Sequence, residues 1–120
     1  MLKNSPDFEY SVFIEENHPA TDGHFIGNPI LPGVVIIEHV RIAFELYRSG
    51  MHLKRLNKVK NIHPLKPGRS LIVKLSAKNE NNFNFSCFDS DNNQIAVGDF
   101  YAEYYQAVDP VSEVESVELV

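Results

Sequence analysis

Apolar and polar residues alternate near the start of the chain, from Phe8 to Ile14. Phe8, Tyr10, Val12 and Ile14 fall on one side of an extended chain, and this period of two is typical of a half-buried strand. Residues 15 to 32 keep no such period and contain three prolines and two glycines. We therefore predict a long loop there, and a loop of this length in a compact domain is usually functional or disordered.

A helix is predicted from Gly33 to about Arg48, because this segment has no internal glycine or proline and ends near Ser49 and Gly50. Its first turns, "VVIIEHV", are apolar almost all round, which implies burial on several sides. The β-branched run alone is also compatible with a strand. The length of the segment and the following "RIAFELYRS" favour the helix.

The second half of the chain has the pattern of strands separated by turns. Strands are predicted at Val59–Leu65, Leu71–Lys78, Phe83–Phe88 and Gln94–Tyr105, with turns at 66–68, 79–82 and 89–93. Short connections predict antiparallel neighbours. The fold class is therefore α+β, with one central helix packed on a curled antiparallel β-sheet.

Length and composition limit the class of protein. A chain of 120 residues with 43% hydrophobic and 22% charged residues is typical of one globular domain. We place that domain at residues 1–108 and an acidic, peripheral tail at 109–120. The single cysteine, Cys87, excludes an internal disulfide, and no apolar signal core or membrane-spanning run is present. These features predict a cytoplasmic protein.

Positive charge is concentrated in one part of the chain. The formal net charge is −5, yet ten of the eleven basic residues lie between Arg41 and Lys78, where Glu45 is the one acid. This asymmetry is compatible with a basic face for an acidic partner and with a solvated sheet surface. The overall negative charge argues against nucleic acid as the partner.

The segment "GHFIGNPILPGVVIIEHV", residues 23 to 40, resembles the active-site segment of the hot-dog-fold 3-hydroxyacyl-[acyl-carrier-protein] dehydratases. Their pattern is HFPGxPxxPG, followed by an acidic residue five positions after the last glycine. The positions in register are His24, Phe25, Gly27, Pro29, Pro32, Gly33 and Glu38. "HPLKPG" also resembles a later family strand that ends in PG. The resemblance implies the hot-dog fold, in which a curled antiparallel sheet wraps around one central helix.

The resemblance also implies a reaction and its residues. His24 would take the α-proton of a (3R)-hydroxyacyl thioester, and Glu38 would protonate the departing β-hydroxyl to give a trans-2-enoyl thioester. The two residues would meet across a dimer interface, while the Gly33 amide binds the thioester carbonyl. Phe25, Pro32 and Val34 would line the substrate site. The implied assembly is a homodimer or a dimer-based oligomer.

The implied partner is an acyl carrier protein, whose phosphopantetheine arm arrives with the substrate, so no resident cofactor is expected. Carrier proteins are acidic as a class, so basic residues are candidates for docking. We assign this role to Lys54, Arg55, Lys58, Lys60, Lys66 and Arg69.

Elementary chemistry gives independent reasons for these roles. Histidine titrates near neutral pH and can accept a proton, and the first amides of a helix have no intrahelical acceptor and lie at its positive end. Glycine at position 33 would let a substrate approach that amide closely. Glu38 lies in an apolar sequence context, and burial there would raise its pKa and keep it protonated.

A purely structural interpretation of Glu38 stays open. Glu38, Arg41, Glu45 and Arg48 follow helical spacings of three and four and could form an exposed stripe of ion pairs. The separation of 14 residues between His24 and Glu38, which matches the family, favours the catalytic interpretation.

Other chemistry has little support. The remaining histidines, which are His18, His39, His52 and His63, lack metal-ligand spacing, so no metal site is predicted. Cys87 is predicted to lie in the core or on a sheet face.

Two positions depart from the family pattern. Ile26 replaces a proline, and Ile42 stands where fatty-acid-elongation dehydratases often carry a glutamine that orients the acid. These departures favour a divergent relative, such as a dehydratase of aryl polyene or polyketide-type biosynthesis. The alternatives are an acyl thioesterase of the same fold and a non-catalytic acyl-binding or scaffold subunit. Dehydratases that also isomerise the double bond usually carry aspartate at position 38.

Overall fold

The computed structural model describes residues 6–16 and 33–106 of the chain. Its elements in chain order are β1 (Phe8–Ile14), α1 (Gly33–Tyr47), β2 (Met51–Asn61), β3 (Arg69–Ala77), β4 (Asn82–Asp89) and β5 (Gln94–Tyr104). The strands form one five-stranded sheet in the order β1-β3-β4-β5-β2, and every pair is antiparallel. The predicted α+β arrangement is confirmed.

Most predicted elements lie where the hydrophobic pattern placed them. β1 has the predicted bounds, α1 begins at the predicted residue, and β3 to β5 match within two residues at each end. These elements keep a regular period over most of their length, with one register shift between Cys87 and Phe88 where β4 pairs with β5, so local sequence is sufficient to locate them. The division into a domain at 1–108 and a tail at 109–120 stays a prediction, because residues 107–120 lie outside the described part.

β2 was predicted incorrectly in both bounds and in its neighbour. It spans Met51–Asn61 rather than Val59–Leu65, and its neighbour is β5 rather than β3. The pairing with β5 shifts register between Leu53 and Arg55 and again between Leu56 and Lys58. Two shifts break the alternation that identifies a strand, since each moves the following side chains to the other face. The chain after β2 crosses the end of the sheet, where the Ile62 amide donates to the Ile95 carbonyl.

The core lies between one face of α1 and the inner face of the sheet. The helix residues buried there are Ile36, Val40, Ala43 and Phe44. Phe44 is fully buried, and its ring centre lies 4.8 Å from that of Phe83 on β4 and 5.0 Å from that of Phe100 on β5. Burying one such ring contributes about 1.5–3 kcal/mol, so this aromatic cluster is a main attachment of the helix to the sheet.

Gly98 on β5 allows β2 to pair closely with β5 beside the second register shift. A Cβ at this position would lie 2.1 Å from the carbonyl oxygen of Lys58 and 2.8 Å from the ring of Phe85. No side chain fits at that distance, so the contact requires glycine. The close approach lets β2 pack against β5, and the end of β2 contacts the start of α1.

Candidate functional site

The start of α1 contacts the end of β2. The Asn61 side-chain oxygen lies 3.6 Å from the position that a Cβ on Gly33 would occupy. The first turn of α1 contains no acidic residue. The helix therefore supplies no carboxylate of its own to its positive end, which is the end suited to a developing negative charge. Val34, a predicted substrate contact, is 74% exposed here.

Glu38 lies one helical turn beyond this end, and its side chain is 55% exposed. Arg41 donates from Nε to Glu38 Oε1 over 3.2 Å and from Nη2 to Glu38 Oε2. Its remaining arm donates from Nη1 to Glu45 Oε2 over 2.9 Å. One guanidinium therefore contacts both oxygens of Glu38 and bridges to the next turn of the helix.

The electrostatic prediction for Glu38 was wrong for this chain. We predicted that burial raises its pKa, whereas hydrogen bonding and charge from Arg41 hold the pKa of Glu38 below its ordinary value. The apolar neighbours in sequence do not surround the carboxyl, since Ile36 and Val40 point into the core while Glu38 is exposed. The carboxyl is consequently ionised at neutral pH.

The predicted stripe of ion pairs is present in part. Arg41 joins Glu38 and Glu45 as that interpretation requires. Arg48 instead places its guanidinium carbon 4.6 Å from the ring centre of Tyr47 and 5.4 Å from that of Phe83. Exposed pairs of this kind contribute little to stability, so the arrangement matters chiefly for the state of the Glu38 carboxyl.

Three predicted site residues, His24, Phe25 and Pro32, lie outside the described residues. The meeting of the His24 imidazole with the Glu38 carboxyl therefore stays a prediction. Gly33, Val34 and Glu38 are within the described part and belong to the first two turns of α1. The sequence analysis did not predict Asn61 as a neighbour of Gly33. The contact joins two elements that are distant in sequence, and no local sequence pattern predicts it.

The six predicted docking residues fall into two groups. Four lie on β2, where Arg55, Lys58 and Lys60 stand opposite Tyr101, Asp99 and Val97 on the outer face of the sheet. The Arg55 guanidinium carbon lies 4.8 Å from the ring centre of Tyr101. Lys54 accompanies them at a register shift, and all four side chains are exposed. We call these four residues the β2 basic group.

Lys66 and Arg69 lie instead at the end of the sheet, next to a cavity of about 280 Å³. The cavity is lined by His63, Pro64, Lys66, Arg69, Asp89 and Asn93. Arg69 donates from Nη1 to Asp91 Oδ2 over 2.9 Å. Neither Gly33 nor Glu38 lines this cavity, so the substrate site predicted at Phe25, Pro32 and Val34 stays a prediction.

Cys87 is fully buried, and burial raises the pKa of its thiol to about 12. The thiol is therefore protonated, and its predicted place in the core is confirmed. Within residues 6–16 and 33–106, no group of three or more His, Cys, Asp or Glu side chains is placed to hold a metal ion. In the same part of the chain, no helix has the length and apolar character that crossing a bilayer requires.

Comparison with known proteins agrees with the motif in the sequence. The family model of the ApeI-like proteins, described as ApeI dehydratase, matches residues 2–99. A curated relative, the 3-hydroxyacyl-[acyl-carrier-protein] dehydratase FabZ of Syntrophobacter fumaroxidans, is 38% identical over 68 residues. That alignment covers 49% of this chain and 46% of the relative, so it spans about half of the relative's length.

Solved structures with low sequence identity share the fold. The dehydratase heterocomplex ApeI:P from Xenorhabdus doucetiae aligns with a TM-score of 0.68 at 21% identity, over 83% of this chain and 91% of that chain. The R-hydratase PhaJ1 from Pseudomonas aeruginosa aligns with a TM-score of 0.63 at 14% identity, over 90% of this chain and 91% of that chain. The predicted hot-dog fold is confirmed. Because the family model covers most of the 120 residues, the chain belongs to the ApeI-like dehydratase family.

Proposed function

We propose that this protein dehydrates a (3R)-hydroxyacyl thioester on an acyl carrier protein to the trans-2-enoyl thioester, in fatty acid or polyketide-like biosynthesis such as that of aryl polyenes. The observation that carries the proposal is the geometry of α1. A helix start without acidic residues lies one turn before the exposed carboxyl of Glu38. Membership of the ApeI-like dehydratase family supports the same reaction type.

The proposed steps use three groups of the chain. The neutral His24 imidazole takes the proton from the α-carbon, and the carbon–oxygen bond at the β-carbon breaks. The departing hydroxyl takes a proton from the carboxyl of Glu38 and leaves as water. The Gly33 amide stabilises the negative charge that develops on the thioester oxygen. After turnover the imidazolium loses a proton and the Glu38 carboxylate regains one through solvent.

Delivery by a carrier protein is supported by the outer face of the sheet. Arg55, Lys58 and Lys60 present positive charge there, opposite the side on which α1 packs. An acidic carrier would bind such a surface with strong dependence on ionic strength. The phosphopantetheine arm would come with the substrate, so the proposal requires no resident cofactor.

A dimer is supported by the edge of the sheet. β2 is an edge strand of 11 residues and pairs with β5 on one side. Leu56, Val59 and Ile62, along and just beyond it, are each more than a third exposed. A long edge with partly exposed apolar residues is a template for pairing with another chain. We propose a second copy as the partner. Because ApeI:P is a heterocomplex, a different partner is the alternative outcome.

The test is incubation of the purified protein with a 3-hydroxyacyl thioester on carrier protein, on coenzyme A and on a small thiol. Appearance of the conjugated enoyl thioester supports dehydration. The variants His24→Ala and Glu38→Gln should each lower the rate by about a hundredfold or more, because each removes a proton-transfer group. Lys78→Met, which removes an exposed cation elsewhere, should leave the rate unchanged.

Mixing the two inactive variants tests the shared site. If His24 of one protomer works with Glu38 of its partner, a mixed dimer has one intact site and regains part of the activity. If both residues belong to the same chain, every site in the mixture stays defective. Light scattering on the same samples gives the oligomeric state, for which the expected mass is twice 13.6 kDa.

Thioester hydrolysis is the second candidate, and the ionised state of Glu38 favours it. A carboxylate can accept a proton from water as that water attacks the thioester carbonyl. Release of free thiol without an enoyl product would support this activity in the same incubation. A non-catalytic acyl-binding subunit predicts neither product, with binding unaffected by His24→Ala.

A further inference from the structure

Arg41 is held at both ends of its guanidinium group. Two N–H groups face the two oxygens of Glu38, three residues earlier, and a third lies 2.9 Å from Glu45, four residues later. A planar fork of this shape is specific to arginine, since lysine provides a single point charge. The side chain of Glu45 therefore fixes the orientation in which Arg41 meets Glu38.

The next position on the helix cannot make this contact. Ile42, four residues after Glu38, has no hydrogen-bonding group in its side chain. Among the described side chains, the hydrogen bonds to the Glu38 carboxyl come from Arg41. The contact that orients the carboxyl therefore comes from a side chain with a full positive charge.

We propose that Arg41 is a positioning residue that orients the Glu38 carboxyl through its fixed guanidinium fork. The inference rests on the proposed role of Glu38. An ionised Glu38 matches the protonation state that adds water to an enoyl thioester, in which the carboxylate takes a proton from water and the His24 imidazolium gives one to the α-carbon. Dehydration uses the reverse state, so Glu38 must first take up a proton.

Arg41 is the residue with the greatest influence on the Glu38 carboxyl. Among the described residues, the charged or titratable groups that act on Glu38 are Arg41 and His39, both on α1, with Arg41 the larger influence. His39 stacks on Tyr10, with ring centres 6.2 Å apart. In the described part of the chain, the fully buried side chains of β1, β2 and β3 are apolar, and they are Ile14, Met51, Leu71, Val73 and Leu75.

Two substitutions separate charge from orientation. Arg41→Met removes both, so the pKa of Glu38 should rise and the acid limb of the pH–rate profile should move to higher pH. Arg41→Lys keeps a positive charge but loses the fork, so the acid limb should move to higher pH by less than it does in Arg41→Met. Both variants should lower kcat by about ten- to a hundredfold, with Lys the milder, because the carboxyl is less well oriented. The apparent pKa values that define the two limbs of the pH–rate profile belong to the His24–Glu38 pair as a unit, and not to either residue alone.

The experiment measures pH–rate profiles in the dehydration and hydration directions, together with an NMR titration of the Glu38 carboxyl carbon. Arg41 is partly exposed, so the variants should fold, and thermal denaturation checks this. Lys78→Met, whose Nζ is 3.9 Å from Asp99 Oδ2, is the control for loss of an exposed cation. In the Lys78→Met variant, the Glu38 carboxyl titration and the pH–rate profile should equal those of the wild type.

The outcomes distinguish this inference from the proposed function. If Arg41→Met leaves the Glu38 titration unchanged, Arg41 does not contact the carboxyl in solution; if it leaves kcat unchanged, the positioning role is wrong. If Glu38→Gln retains full activity, the role of Glu38 in the proposed function fails. The NMR titration of the Glu38 carboxyl in the wild type and in the Arg41 variants still tests the contact with Arg41 in that case, because the titration requires no turnover.

Discussion

The side-chain amide of Asn61 lies against Gly33, with its oxygen 3.6 Å from where a Cβ of Gly33 would be. This is an ordinary van der Waals distance, so the end of β2 contacts the start of α1 without requiring glycine there. Against the described residues, a methyl group at position 33 therefore meets no steric overlap. A requirement for glycine there would agree with the approach of a substrate to the helix amide.

The first prediction separates folding from substrate binding at this helix start. Gly33→Ala should change the free energy of unfolding by less than about 1 kcal/mol, because the methyl group fits and alanine favours a helix. The same variant should lower kcat/KM for the thioester, since the methyl group obstructs the Gly33 amide. Chemical denaturation and steady-state kinetics on one preparation check both parts. Full activity would mean that no substrate oxygen approaches this amide.

The second prediction concerns Gly98, the glycine of β5 that lies against β2. Gly98→Ala should destabilise the protein by about 3 kcal/mol, because the new methyl group would overlap the Lys58 carbonyl and the Phe85 ring. Gly50 provides the matched control. It has a φ of +94° and nothing within 4 Å of a built Cβ, so Gly50→Ala should cost only about 1 kcal/mol of backbone strain. Equal losses in the two variants would contradict the steric explanation.

The third prediction concerns the turn between β4 and β5. Asp89 Oδ1 accepts the amides of Asp91 and Asn93, and Asp89 Oδ2 accepts the Asn93 side-chain amide. Desolvation raises the pKa of Asp89, but these hydrogen bonds and the charge of Arg69 together hold it below its ordinary value. Asp89→Asn should cost about 1–3 kcal/mol at neutral pH, since an amide cannot accept all three bonds.

The pH dependence of this effect has a defined sign. Because the folded pKa is lower than the unfolded value of about 3.9, the ionised Asp89 stabilises the fold above that pH. The stabilisation is lost as the pH falls through the folded pKa. The difference in Tm between the wild type and Asp89→Asn should therefore be largest near neutrality and shrink below about pH 4. Asp91→Asn, at an exposed position, should change Tm little throughout.

The fourth prediction tests which basic residues bind a carrier protein. Reversing Lys58 and Lys60 to glutamate should raise KM for a carrier-linked substrate several-fold at low salt, with a smaller effect as salt is added. KM for a small thioester should be unchanged. Reversing the second pair, Lys66 and Arg69, to glutamate shows whether the end of the sheet beside the cavity also binds the carrier protein. If neither pair changes KM for the carrier-linked substrate, carrier docking on these residues is excluded.

Local sequence determined the elements whose pattern is continuous. The alternation in β1 and in β3 to β5, and the uninterrupted run after Gly33, located these elements because a side chain's face depends only on its position in a regular repeat. The spacing from Gly33 to Glu38 likewise put both residues on one helix. β2 was placed incorrectly because its two register shifts arise from pairing with β5, and that partner is distant in sequence.

The environment of Glu38 was decided by tertiary structure. Its neighbours in sequence are apolar, but successive helix residues point about 100° apart, so Ile36 and Val40 can be buried while Glu38 faces solvent beside Arg41. Sequence alone identified the family and the candidate groups, because both depend on residue type and spacing. The protonation state of the carboxyl, the contact of Asn61 with Gly33 and the separation of the basic residues into two groups required the packed chain, because each depends on which side chains meet in space.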